Sequence, residues 1–352
     1  MPNKKHSMKP KSPKKPKRTI HGQAKPIDAA TAVLWKNSKY FAEVFNRIVF
    51  KKPFVNADNL GDASEVEATF LQVRKVHRVT LKTTRDVAKA LYPSSDKKSA
   101  PNSYLMILGI ENQYKIDPLM IFRVLESNFI NCARQISDIQ AKNRDEMKKE
   151  EHEGEYISGF KRTDKIKPVI TLVIYYGEEE WKGMRHLRDL FEEGEAKYIA
   201  SDYEMPLLDV RHMDEETLNS FSPDLRAFLG FLRYEKDQNM LPAFMKENEQ
   251  SFYDLPSMAS SALIEITGSS KLKEIAENFR TETGGVNMID GIKMYGQQER
   301  QAGIEIGLDR SSRLTAERMI NAGEPRQKII SYSNLAEDVI ESIAASLGKV
   351  LA

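Results

Sequence analysis

The sequence predicts a mixed α/β fold, in which helices pack on a small mixed sheet and a helical C-terminal portion follows. Residues 167–177, KPVITLVIYYG, are β-branched and aromatic on both faces, which is typical of a strand inside a sheet. Residues 103–118 contain a second apolar run, SYLMILGI, which ends in polar residues. Helical periodicity fills residues 29–50, residues 119–151 and most of the chain beyond residue 224. Helices that alternate with strands and then continue alone indicate this class.

The N-terminal part supplies the first elements. Apolar side chains recur every three or four residues between residues 29 and 50, which predicts one helix with an apolar face. A second helix is predicted from Glu65, with Ser64 as its N-cap. Residues 78–91 fit a strand or a helix, and residues 93–101 are a loop rich in Pro, Ser and Lys.

The later elements are less regular. Residues 205–213 are a weaker strand candidate. The motif GIEIG at residues 303–307 predicts an interruption of the long helical stretch. Residues 315–347 predict a helix, a turn at Gly323, a short helix, a loop and a last helix.

Charge is distributed unevenly along the 352 residues. Residues 1–27 hold nine of the 53 Lys and Arg residues and none of the 51 acids, which leaves 44 bases against 51 acids. Such a Lys-, Pro- and Ser-rich tail is expected to be disordered. It either attracts nucleic-acid phosphates or serves as a solubilising tail. We expect residues 28–235 to form the mixed α/β domain and residues 236–352 a helical C-terminal region.

The composition excludes several classes of protein. The single cysteine, Cys132, excludes an intramolecular disulfide and fits a reducing cytoplasm. The N-terminus lacks the apolar segment of a secretory signal. The sequence also contains no run of about 18 apolar residues, which is the length needed to span a membrane. One cysteine and six histidines do not make a structural zinc site of the usual spacing. The common phosphate-loop, serine-hydrolase and zinc-protease motifs do not occur.

Polar residues replace apolar ones where the 103–118 strand ends, at Glu111, Asn112 and Gln113. Because strand side chains alternate, Glu111 and Gln113 share a face that is core earlier in the strand. A carboxylate beside buried surface needs a partner or a metal ion. Asp86, in TTRDVAK, lies on a segment that fits the neighbouring strand. Two such carboxylates can hold Mg²⁺, which polarises a phosphodiester and activates water.

A structural interpretation of the same residues is also open. Glu111 can be a strand-end carboxylate paired with Arg123 or Lys115, and Asp86 can be a helix-surface residue. The spacing of the residues fits both interpretations.

Several blocks of the sequence resemble a known family. SKYFAEVFNRIVF, TTRDVAKAL, LMILGIENQYKIDPLMIFRVLE and RTDKIKPVITLVIYYGEEEWKGMRHLRDLF have the order and spacing seen in the recombination-promoting nucleases, also described as YhgA-like putative transposases. The resemblance covers roughly residues 30–235. That family is part of the PD-(D/E)XK nuclease superfamily. The resemblance therefore implies a restriction-endonuclease-like mixed sheet flanked by helices, and metal-dependent cleavage of DNA.

The resemblance also implies roles for individual residues. Asp86 and Glu111 take the positions of the ligands of Mg²⁺, or of Mn²⁺ in its place. Gln113 stands where many superfamily members carry Lys, and its amide can orient the attacking water. Arg123 takes the position of a phosphate clamp. Relatives often carry Tyr four residues further on, where this chain has Ser127.

The resulting hypothesis is a cytoplasmic, Mg²⁺-dependent DNA endonuclease associated with recombination or transposition. The alternative is a catalytically weak or inactive DNA-binding or assembly protein that retains the fold. RNA also fits as substrate, since such a site recognises phosphates. Residues 315–347 resemble the helix-turn-helix-like tails of the family, which can dock on DNA or join copies of the chain into a homo-oligomer. Glu43, on the first helix, is either an additional acid or a solvent-facing residue.

Overall fold

The computed structural model describes residues 26–63, 85–95, 103–146, 153–192, 194–195, 198, 201–268 and 270–351. The predictions for residues 1–25, for the helix from Glu65 and for residues 96–101 lie outside these ranges. In the described part of the chain, five strands form one sheet in the order β1-β2-β3-β4-β5. Their bounds are Leu60–Asp62, Val87–Leu91, Met106–Gln113, Val169–Tyr175 and Leu207–Asp209.

The sheet is mixed, as the sequence predicts. β1, β2 and β3 pair antiparallel, whereas β3, β4 and β5 pair parallel. The predicted strands in residues 103–118 and 167–177 are confirmed as β3 and β4, and the weaker candidate in residues 205–213 supplies β5. The ambiguous segment of residues 78–91 contains β2 in its described part. The mixed α/β class is therefore confirmed.

The first predicted helix is divided in two. α1 spans Pro26–Lys36 and α2 spans Ser38–Val44, after which the chain continues as a π-helix over Phe45–Phe50. The prediction of a single helix is wrong at Asn37, which has an extended backbone and whose side-chain oxygen accepts hydrogen bonds from the N–H groups of Lys39 and Tyr40. Asn37 therefore serves as the N-cap of α2.

Helices cover both faces of the sheet. α3 spans Met120–Glu146 and packs its first turns against Val173 and Tyr175 of β4. The opposite face, which includes Leu108 and Ile174, belongs to a larger cluster formed with the helices on either side of residue 235. The remaining α-helices in the described residues are, from α4 to α13, Glu153–Ser158, Glu215–Asn219, Pro223–Tyr234, Met240–Glu247, Glu249–Tyr253, Ser257–Thr267, Ser270–Asn278, Met288–Asn321, Arg326–Ser333 and Glu337–Ser346. Short 3₁₀ helices span Ala57–Asn59 and Leu187–Leu190.

The C-terminal helices form a separate small cluster. The end of α11 packs against α12 and α13 around Ile320, Ile329 and Ile340. The helix, turn, helix and helix predicted for residues 315–347 are confirmed. The interruption predicted at GIEIG is wrong, because α11 continues through residues 303–307. None of the described helices is long and apolar enough to cross a membrane.

Candidate active site

The two acids predicted from the sequence lie at the same end of two adjacent strands. β2 and β3 are antiparallel, and Val87 pairs with Ile110. Asp86 immediately precedes β2 and Glu111 follows Ile110 in β3, so the two acids lie at the same end of these strands. The carboxylate of Asp86 accepts a hydrogen bond from the backbone N–H of Asn112 at 2.7 Å. The carboxylate of Asp86 therefore contacts the residue that follows Glu111 in β3.

Glu111 and Gln113 face the side of the sheet that α3 covers. In the register of β3 and β4, Glu111 is beside Val173 and Gln113 is beside Tyr175. Both β4 side chains are buried under the first turns of α3. The side chains of Glu111 and Gln113 are only partly buried, whereas Asp86 is exposed. An apolar face thus becomes polar and accessible at the C-terminal end of β3.

A buried arginine that the sequence did not single out lies on this same face. Arg85 is 6% exposed. Its Nε donates to the hydroxyl of Thr171 at 2.9 Å, and its Nη2 donates to the side-chain oxygen of Asn128 on α3, also at 2.9 Å. Its side chain crosses over Gly109, where an added Cβ would lie 2.1 Å from the arginine Cδ. A glycine inside a strand often marks such an approach, so Gly109 was the available signal.

Asn112 points to the opposite face and joins a second buried network. Its side-chain nitrogen donates to Asp86 Oδ2 at 3.1 Å, and its side-chain oxygen accepts from the hydroxyl of Tyr176 at 3.2 Å. The indole N–H of Trp35 on α1 donates to the same hydroxyl oxygen at 2.7 Å. Burial, and to a lesser degree the neighbouring Tyr114 and the Asp86 charge, raise the pKa of Tyr176 well above its usual value. The place of Tyr176 in the apolar run of residues 167–177 predicts packing and gives no signal of this polar contact.

Arg123 is half exposed on the first turn of α3. Its guanidinium forms an ion pair with Asp117 at 2.9 Å. Asp117 also accepts the backbone N–H of Leu119 and so orders the start of the helix. Arg123 is therefore held near the end of β3, in contact with solvent and with a carboxylate.

Glu43 has a role that the sequence did not predict. Its carboxylate accepts hydrogen bonds from both the backbone N–H and the hydroxyl of Ser222, which precedes α6. Negative charge is favourable at a helix N-terminus. Glu43 therefore stabilises the start of α6, and the interpretation of a residue that only faces solvent is wrong.

The donors at the end of β3 suit a hard cation. The carboxylates of Asp86 and Glu111 are oxygen ligands of the kind that Mg²⁺ prefers. Among the residues that the structure describes, no three His, Cys, Asp or Glu side chains converge. Mg²⁺ is often held by only one or two carboxylates together with water and phosphate oxygens, and Asp86 and Glu111 would supply the two carboxylates.

One comparison with known proteins gives a match. Residues 90–258 match the family model described as putative transposase, YhgA-like. The match confirms the family resemblance found in the sequence. The matched segment contains Glu111, Gln113 and Arg123, and it begins shortly after Asp86. No curated protein and no solved structure matches the chain.

Proposed function

We propose that this member of the putative YhgA-like transposase family is a metal-dependent DNA endonuclease of the PD-(D/E)XK type that acts in the cytoplasm. The family description associates the chain with transposition and therefore with DNA. The observation that carries the proposal is the position of Asp86 and Glu111 at one end of β2 and β3, with the Asp86 carboxylate bound to the residue next to Glu111. Residues held by a sheet keep the fixed positions that catalysis needs.

Asp86 and Glu111 would hold Mg²⁺ or Mn²⁺. Such an ion, when bound, polarises a phosphodiester and lowers the pKa of water. Gln113, on the same face as Glu111, orients the attacking water through its amide. A neutral amide neither accepts the proton of that water nor carries the positive charge of the more usual Lys.

Arg123 would steady a phosphate oxygen of the DNA. Its side chain is about half exposed at the start of α3, and its partner Asp117 is also accessible. Guanidinium groups bind phosphate through paired hydrogen bonds, so a phosphate can replace the carboxylate of Asp117. An exposed ion pair of this kind is worth no more than about 1 kcal/mol, which makes the exchange inexpensive.

A non-cleaving DNA-binding or assembly protein is the second candidate. Gln113 replaces the usual Lys, and Ser127 takes the position of a family tyrosine. Ser127 is 4% exposed, and its hydroxyl has no hydrogen-bond partner among the described residues. It therefore cannot act on a substrate as an exposed tyrosine would. In this candidate the cluster formed by α11, α12 and α13 would join copies of the chain.

Plasmid nicking separates the two candidates. The parent chain and Glu111→Gln are incubated with supercoiled DNA and Mg²⁺, with and without EDTA. Glu216→Gln, which changes an exposed acid on α5, is the matched control. We expect the parent and the control to nick the plasmid, and Glu111→Gln to lose at least about 100-fold in rate, since the metal contributes several kcal/mol.

The two candidate functions predict different results in this assay. Metal-dependent nicking that Glu111→Gln loses supports the enzyme. Retention of DNA by all three proteins without nicking supports the binding protein. A labelled RNA, tested in parallel with a labelled DNA of the same length, shows whether RNA rather than DNA is the substrate.

A further inference from the structure

We propose that Asn112, the residue between Glu111 and Gln113, is a positioning residue for Asp86, and that Tyr176 and Trp35 hold it in place. The inference rests on the proposed function, because it gives Asn112 a role in preparing a metal ligand. It adds residues from α1 and from the end of β4 to the site.

Asn112 holds one oxygen of the Asp86 carboxylate with two donors. Its backbone N–H lies 2.7 Å from Asp86 Oδ2, and its side-chain nitrogen lies 3.1 Å from the same atom. Two donors from a single residue restrict the rotation of this exposed carboxylate.

Hydrogen bonds run from Trp35 on α1 through Tyr176 to Asn112, and this relay has a defined direction. The indole N–H of Trp35 can only donate, so the oxygen of Tyr176 accepts this bond and the Tyr176 hydroxyl proton is free to donate onward. It donates to the side-chain oxygen of Asn112. The side-chain nitrogen of Asn112 must then face Asp86. The orientation of the amide is thus determined by a residue on another element.

The relay is buried along most of its length. Trp35 is fully buried, Tyr176 is 3% exposed and Asn112 is 7% exposed. The raised pKa of Tyr176 keeps its hydroxyl protonated over the working pH range, so the donor is always present. Partners outside the first coordination shell commonly orient metal ligands in this way.

Tyr114 provides a matched control inside the same structure. Its ring stacks on that of Tyr176, with centroids 5.3 Å apart. Its hydroxyl, however, lies 2.8 Å from the hydroxyl of Thr31 and takes no part in the contacts to Asn112 described above. Phenylalanine at either position removes one hydroxyl and keeps the stacked ring, but only the change at Tyr176 breaks the relay.

The test measures Mn²⁺ affinity by calorimetry without DNA, and the Mg²⁺ concentration that gives half-maximal nicking. We expect Tyr176→Phe to weaken Mn²⁺ binding roughly threefold and Asn112→Leu roughly tenfold or more, as is usual for residues that orient metal ligands. Excess Mg²⁺ should restore most of the nicking by Tyr176→Phe. Tyr114→Phe should bind Mn²⁺ as the parent does.

Two failures can be told apart. If the parent binds Mn²⁺ and Asp86→Asn abolishes binding, but Tyr176→Phe and Tyr114→Phe have equal affinities, the positioning role is wrong and the proposed function stands. If the parent takes up no Mn²⁺, both proposals fail. Tyr176→Phe keeps the stacked ring and covers the case in which Asn112→Leu does not fold.

Discussion

Gly109 in β3 and Gly303 in α11 lie in opposite surroundings. A Cβ at Gly109 would lie 2.1 Å from Cδ and 2.6 Å from Nε of Arg85. At Gly303, no atom of the described residues outside the local helix backbone comes within 4 Å of the same position. Residues 296–311 of α11 are all exposed, whereas β3 from Ile107 to Ile110 is buried. A glycine-to-alanine substitution therefore tests packing at position 109 in β3 and helix propensity at position 303 in α11.

The difference between the two regions shows where the chain fixes its geometry. Two buried networks meet around the end of β3, one through Arg85 and one through Asn112. Their side chains come from α1, α3, β3, from β4 and the residue after it, and from the two residues before β2. A displacement of any member leaves a buried polar group without its partner, which is costly. The middle of α11 is exposed and belongs to no such buried network among the described residues. The candidate site lies in the region with the smaller tolerance for change.

The largest expected effect is that of Gly109→Ala. The added methyl would displace the side chain of Arg85 from Thr171 and Asn128. Hydrogen bonds to a buried charged group contribute about 1.5–3 kcal/mol each, so we expect a loss of about 2–4 kcal/mol in the free energy of unfolding. Urea denaturation followed by circular dichroism measures it.

A double-mutant cycle with Arg85 isolates the cause. In an Arg85→Ala background, the methyl at position 109 meets no arginine side chain, so Gly109→Ala should cost much less there. An equal cost in both backgrounds would place the strain in the strand backbone and not in the contact with Arg85.

The strands β3 and β4 could be predicted from the sequence, whereas the contacts that hold the site could not. Residues 167–177 predict a buried strand because their apolar character is local and continuous. The change from apolar to polar residues at the end of β3 is also a local pattern, and it indicated Glu111 as a candidate site residue. Asn112 could not be assigned a role, because that role depends on Trp35 and Tyr176, which only the folded sheet brings together. Local periodicity carries no information on such long-range partners.

Ser127→Ala is expected to have a smaller effect of opposite sign. The Ser127 hydroxyl is buried without a hydrogen-bond partner among the described residues, and such a group costs about 1–3 kcal/mol. Its removal should therefore stabilise the chain by about 1 kcal/mol in urea denaturation. The nicking rate should not change. A fall in that rate would show instead that the Ser127 hydroxyl takes part in nicking.

Gly303→Ala should produce the smallest effect, and again a stabilising one. Alanine is favoured over glycine in an exposed helix interior by about 0.5–1 kcal/mol, and nothing at this position opposes the added methyl. Amide hydrogen exchange in peptides from residues 296–311 should slow by about two- to fivefold. Gly323→Ala is the control, because Gly323 has a φ of +73° and its substitution should speed exchange nearby. If Gly303→Ala also speeds exchange, the middle of α11 has a contact that the isolated chain does not show, and the contrast with β3 no longer holds.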